Sequence, residues 1–210
     1  MIETKSFNLG RPVNGTREVV SFTAVNDLGW TGIIDLPPCE QLLFDTKTHN
    51  DFYILQGELT GRAGPSYTRG AFLSPGMDKT FMAGPEGARV FAYRDRGTPS
   101  CEHAAIMPGQ LEWRTGGPLG MKVASLMGAG HELMLVAWAP GTRMRFHHHP
   151  RGEEIFVLQG ELHDQLGRYP AGTWQRLYPG MGHAPYAEMD TLILLRNGHL
   201  YGPSGTLDSS

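Results

Sequence analysis

Apolar residues along this chain fall in short runs rather than at helical spacing. Residues 53–55 (YIL), 90–93 (VFAY), 132–138 (ELMLVAW) and 191–195 (TLILL) are rich in aliphatic and aromatic side chains and end near Gly, Pro, Asn or Asp. Runs of that length between turn formers predict strands. No stretch sustains a 3.6-residue period. The 28 Gly and 15 Pro among 210 residues make about a fifth of the chain, against a usual ~12%. Many strands joined by tight turns follow, and with them an all-β protein.

The pattern also repeats. Residues 53–59 read YILQGEL and residues 156–162 read FVLQGEL, an offset of 103. Leu73-Ser74-Pro75-Gly76-Met77 is answered by Leu177-Tyr178-Pro179-Gly180-Met181 at an offset of 104. Two ordered matches at nearly equal offsets indicate duplication. A repeat of about 100 residues has the size of an independent small domain, not of a solenoid unit. The expected division is residues 1–108 and 109–210, the second ending in a short flexible tail.

Charge and composition then narrow the function. Hydrophobic residues are 40% and charged residues 19%, enough for packed cores and too few charges for a disordered chain. A net charge of −3 gives no reason to expect nucleic acid or an anionic membrane as partner. No apolar run approaches the ~20 residues of a membrane span, and MIETKSFNLG lacks the apolar core of a signal peptide. Cys39 and Cys101 lie far apart, form no CxxC pattern and are read as reduced thiols. A cytoplasmic location is the expectation.

The sharpest chemistry lies in Arg145-Phe146-His147-His148-His149-Pro150-Arg151-Gly152-Glu153-Glu154. On a strand, residues two apart share a face, so His147 and His149 can converge on one ion while His148 points away. Pro150-Arg151-Gly152 turns the chain, and Glu153 opens the apolar run Ile155-Phe156-Val157-Leu158. Neutral imidazoles suit zinc, iron, nickel or copper, and a carboxylate adds charge that holds a dication. His183, after the Gly-rich turn Pro179-Gly180-Met181-Gly182, is placed to supply a further ligand. Arg145 shares the parity of His147 and is a candidate to orient an anionic substrate. His163 and Asp164 read as hairpin-tip residues.

Gly141, five residues, His147-x-His149, three residues, Glu153, six residues, Gly160 resembles the first cupin motif, and His183 stands where cupins place their third histidine. Gly152-Glu153-Glu154, Tyr169-Pro170-Ala171-Gly172-Thr173-Trp174 and Pro179-Gly180-Met181-Gly182-His183 are similar to the ChrR-type cupin family. That family includes the sensory domain of a zinc-dependent anti-sigma factor and dioxygenase candidates. The resemblance covers about residues 109–200. It implies two tandem double-stranded β-helix (jelly-roll) barrels, the second holding one divalent transition metal (Fe, Zn, Ni or Mn) through His147, His149, Glu153 and His183. Anti-sigma members carry a separate helical domain with its own His/Cys zinc site. This chain has a second cupin there instead, so sigma-factor binding is not expected.

Carried through the repeat, His147 maps to Phe44, His149 to Thr46, Glu153 to Asn50 and His183 to Lys79. Every ligand is replaced, and the first copy is expected to serve stability, a homodimer contact or as a lid on its partner, the rival expectation being a small anionic ligand held by Lys79. His131-Glu132 lacks the second histidine of HExxH, and no Gly-x-Ser-x-Gly elbow is present. The expected function is a metal-dependent cupin enzyme, an Fe(II)-type dioxygenase acting on a small enolisable, diketone-like substrate. The alternatives are a zinc-binding sensor of the ChrR type, or another metal-dependent isomerase or hydrolase.

Overall fold

The computed structural model describes residues 2–13, 15–24, 29–44, 47–62, 64–76, 80–95, 104–126 and 132–200, with Glu132 described by its backbone alone. It is all-β. Among the described residues there are twenty strands, one 3-10 turn (Pro108–Gln110) and no α-helix, hence no helix long and apolar enough to cross a membrane. The chain forms two compact units, Arg11–Leu111 and Met1–Gly10 together with Glu112–Ser210. The sequence expectation placed the first ten residues with the first barrel. Strand β1 (Ile2–Ser6) instead pairs antiparallel with a strand of the C-terminal unit, Ile2 opposite Leu177 and Ser6 opposite Thr173.

The N-terminal unit holds β2 (Glu18–Ser21), β3 (Trp30–Leu36), β4 (Gln41–Leu42), β5 (His49–Gly61), β6 (Ser66–Thr68), β7 (Phe72–Ser74), β8 (Phe81–Asp95) and β9 (Ala104–Ile106). Their backbone order is β2-β3-β8-β5-β7-β9, with β4 on β8 and β6 on β5. Its core is aromatic and aliphatic and includes Trp30, Phe52, Ile54, Tyr67, Leu73, Phe81 and Val90.

The C-terminal unit holds β1 with β10 (Arg114–Thr115), β11 (Met121–Ser125), β12 (Glu132–Trp138), β13 (His147–His149), β14 (Glu153–Gln159), β15 (Glu161–Asp164), β16 (Gly167–Pro170), β17 (Thr173–Leu177), β18 (Met181–His183), β19 (Tyr186–Ala187) and β20 (Thr191–Asn197). A seven-stranded sheet runs β1-β17-β14-β20-β12-β11-β10, beside the pair β13-β18 and the trio β16-β15-β19. Ile155, Val157, Ile193, Val136 and Trp138 from the large sheet pack with Leu162, Tyr169 and Ala187 from the small one. Each unit is thus a double-stranded β-helix whose alternate side chains point inward.

The repeated LQGEL motif has a common structural meaning. In both copies the ladder slips within it, between Val157 and Gln159 and again between Ile54 and Gln56. Both of its glycines take positive φ, 69° at Gly57 and 74° at Gly160. A Cβ there would meet the Gly87 carbonyl oxygen at 2.1 Å in one copy and the Asp190 carbonyl oxygen at 2.3 Å in the other. The motif is a β-bulge that bends a long strand around its barrel, and only glycine fits it.

Candidate metal centre

The site is built by two short strands and the start of a third. In β13·β18, His147 pairs with His183 and His149 with Met181. Cross-strand partners share a face, so the alternation that puts His147 and His149 together also puts His183 beside them. The rings of His147 and His149 are 4.8 Å apart, and each lies 5.1 Å from that of His183. One ligand atom from each of the three falls within 4.8 Å of the other two, and no other such cluster occurs among the described residues.

Glu153, the first residue of β14, brings its Oε2 to 3.5 Å from His149 Nε2 and 3.4 Å from His183 Nε2. His149, Glu153 and His183 are buried. Neighbouring Glu154 faces away and is bound by the buried Arg176, whose Nε donates to it at 2.6 Å. His148 is exposed, its Nδ1 3.3 Å from the Gly180 carbonyl oxygen and its ring edge-on to Phe146.

Each of the three imidazoles has a polar neighbour besides Glu153. His147 Nδ1 donates to the Arg145 carbonyl at 2.9 Å. The side chain of Asn197, cross-strand partner of Glu153, hydrogen-bonds His149. His183 Nδ1 faces Asp164 Oδ2 at 3.6 Å. An acceptor on the outer nitrogen of His147 fixes that ring's tautomer and turns its inner nitrogen toward an ion, and the Asp164 carboxylate stands where it can do the same for His183.

Electrostatics separate two of the histidines. Burial lowers the His149 pKa, with Glu153 acting against it and the other two histidines adding to it. Burial also acts to lower His183, but the neighbouring carboxylates of Asp164 and Glu153 outweigh it and raise the group to about 9. Burial would raise Asp164, yet the adjacent His183 and hydrogen bonds from the Leu166 N–H and the Tyr169 hydroxyl hold it below its ordinary value.

The residues fit a metal ion. His149 Nε2 and Glu153 Oε2 are buried with no hydrogen-bond partner, an expensive arrangement that a shared cation relieves. Donors about 2.1 Å from a tetrahedral ion stand about 3.4 Å apart, close to the two contacts of Glu153 Oε2. The His147, His149 and His183 triad can therefore bind a metal, with the Glu153 carboxylate in its midst.

Three supporting residues were not legible as such. No sequence signal marks Asn197 or Gln165, and the pattern around Asp164 predicts a hairpin tip. Asp164 does end β15 at a hairpin, but its side chain is buried against His183. Arg145 is exposed, and its backbone carbonyl is what touches the site.

In the N-terminal unit, Phe44, the counterpart of His147, packs its ring 5.5 Å from Phe52 against the core. Asn50, the counterpart of Glu153, donates to the Thr48 carbonyl at 2.7 Å and accepts from Arg94 at 3.4 Å. Thr46 and Lys79 lie outside the described residues.

Two barrels of this topology, one of them with three inward histidines on a paired strand end, define a bicupin. More narrowly, residues 102–201 match the ChrR cupin-like domain family. Solved structures share the fold. A dioxygenase candidate from Nostoc punctiforme aligns over 99% of this chain and 87% of its own, at TM-score 0.70 and 13% identity. YlbA from Escherichia coli aligns over 96% and 92%, at TM-score 0.70 and 12% identity. HEPD of Streptomyces albus, solved with its substrate 2-hydroxyethylphosphonate and Fe(II), aligns over 99% and 77%, at TM-score 0.67 and 11% identity. Comparison with curated protein sequences finds no match.

Proposed function

We infer that this protein is a metal-dependent cupin enzyme, an Fe(II)-type dioxygenase acting on a small enolisable substrate such as a β-diketone. The carrying observation is the inward set of His147, His149 and His183 around the Glu153 carboxylate. Fe(II) held there supplies Lewis acidity and redox chemistry with dioxygen. Three neutral imidazoles and one carboxylate leave a dication with one net positive charge, which suits a monoanionic enolate. Arg145, exposed beside His147, is the residue to steer that anion inward. Apolar and thioether side chains in the core of the same unit, among them Met144, Leu195 and Ile155, suit a compact organic ligand. Support for iron and oxygen comes from the fold it shares with the Fe(II)-bound HEPD and with the Nostoc dioxygenase candidate.

A second reading, a non-catalytic zinc sensor, is favoured by the match of residues 102–201 to the ChrR cupin-like family. One experiment separates them. Protein purified without oxygen is analysed for metal, loaded with Fe(II) or Zn(II), and assayed for dioxygen uptake with pentane-2,4-dione. Uptake by the Fe(II) form that His149→Ala abolishes supports the enzyme. Tightly held zinc with no uptake by either form supports the sensor and overturns the oxygenase.

A further inference from the structure

We propose that the turn joining β15 to β16 is a positioning clamp for His183, with Asp164 holding its ring and Gln165 its backbone. This rests on the reading that the three-histidine site takes a metal, and it goes beyond the ligand set to residues that control it.

Asp164 is built to be immobile. Its Oδ1 accepts three hydrogen bonds, from the Leu166 N–H at 2.7 Å, the Gly167 N–H at 3.1 Å and the Tyr169 hydroxyl at 2.8 Å. Two of those donors belong to the turn itself, and the third is a buried core tyrosine. Oδ2 is left over. It is buried without a hydrogen-bond partner, as is His183 Nδ1, and the two stand 3.6 Å apart. Each is the group the other lacks. At 3.6 Å the contact is longer than a formed hydrogen bond, so a shift of a few tenths of an ångström completes it.

Gln165 acts on the same residue from outside. Its Nε2 donates to the Gly182 carbonyl at 3.5 Å, and its Oε1 accepts from the Ala184 N–H at 3.0 Å. Those are the peptide groups immediately before and after His183. Consecutive residues of one turn thus bracket the backbone of His183 with an amide and its ring with a carboxylate. A packing accident would not be expected to satisfy both from adjacent positions.

The consequence for the metal is geometric. An anionic acceptor on Nδ1 keeps that nitrogen protonated and directs Nε2 at the ion, and it makes the ring a stronger donor. His147 and His149 have a carbonyl and an amide in the same role. His183 is therefore the one ligand of the three given a charged partner, and its orientation is the one most dependent on a single side chain.

The test uses the full chain and Co(II), whose visible spectrum reports ligand geometry. Wild type, Asp164→Asn, Gln165→Ala and Tyr169→Phe are titrated with Co(II) against a competing chelator, and metal-free melting is recorded for each. Loss of the charged partner should weaken Co(II) binding by about ten- to hundredfold and change the visible bands in Asp164→Asn. Gln165→Ala, at an exposed position, should melt as wild type yet bind more weakly. Tyr169→Phe, which leaves both clamping side chains in place, should show the smallest change. Should Asp164→Asn fail to fold, the Gln165→Ala result decides. Wild-type affinity and spectrum in Asp164→Asn, or in Gln165→Ala when it stands alone, overturn the clamp and leave the metal site standing. A wild-type chain that takes up no Co(II) overturns the metal reading and the clamp together.

Discussion

At the scale of the residue, the two buried histidines meet an incoming ion in opposite states. His149 is pushed down by burial and is neutral at pH 7, while His183, between Asp164 and Glu153, is raised to about 9 and carries a proton there. Metal binds the neutral ring, so below pH 9 the ion must displace the proton on His183. Affinity should then rise about tenfold per pH unit between pH 7 and pH 8.5. The sign for the metal-free fold is the reverse. A raised folded-state pKa gives stability that is present below the unfolded value near ~6.5 and is lost as pH climbs through about 9. Calorimetric titration of Zn(II) in buffers of different ionisation enthalpy counts the protons released. About one proton is expected at pH 7.5, and an affinity flat from pH 7 to 8.5 would remove His183 from the site.

At the scale of the element, the centre depends on how closely β18 approaches β13. Gly182, between Met181 and His183, sits opposite His148, and an added Cβ would lie 2.4 Å from the His147 carbonyl oxygen and 2.9 Å from His148 Nδ1 and Phe146 Cζ. The backbone oxygen cannot step aside, so Gly182→Ala should part the strands and draw His183 away from His147. A cost of about 1–3 kcal/mol is the usual result of such overpacking, and Co(II) affinity should fall at least as far as in Asp164→Asn. Unchanged affinity by chelator competition would show that the pair tolerates the wider spacing. What was legible here follows from distance along the chain. The triad's shared face could be read from a two-residue spacing and one turn, because strand parity is local. Asn197 reaches the same centre through the cross-strand register of β20 on β14, and Asp164 through a side-chain contact from the β15 hairpin to His183. Nothing within a few residues of either announces that. The LQGEL repeat was legible as a strand, but its bulge shows only where the ladder slips.

At the scale of the whole molecule, duplication was readable because two motifs recur at nearly one offset, and the replacement of ligands in the first copy followed from the same alignment. The path of the first ten residues was not readable. Strand β1 is IETKS, with no face buried throughout, and such a polar strand gives no hydrophobic pattern to declare its partner. It borders the seven-stranded sheet by covering β17, whose Leu177 lies opposite Glu153 in the next strand. The contact continues past the strand, with the Phe7 N–H donating to the Gly172 carbonyl at 2.9 Å and the Tyr178 hydroxyl donating to Glu3 at 2.7 Å. Phe7 itself is buried, which is worth about 2 kcal/mol. Deleting residues 1–10 removes all of this from the unit that carries the three histidines, although those residues precede the other unit in sequence. For a unit of about 100 residues a loss of that size lowers Tm by about 8–16 °C. Hydrogen exchange on the full chain and the deletion variant locates the effect. Protection should fall in β17 and in the neighbouring β14 that presents Glu153, while β3, β5 and β8 keep theirs. An equal loss across Arg11–Leu111, or none in β17, would show that the first ten residues do not belong to the barrel that holds the histidines.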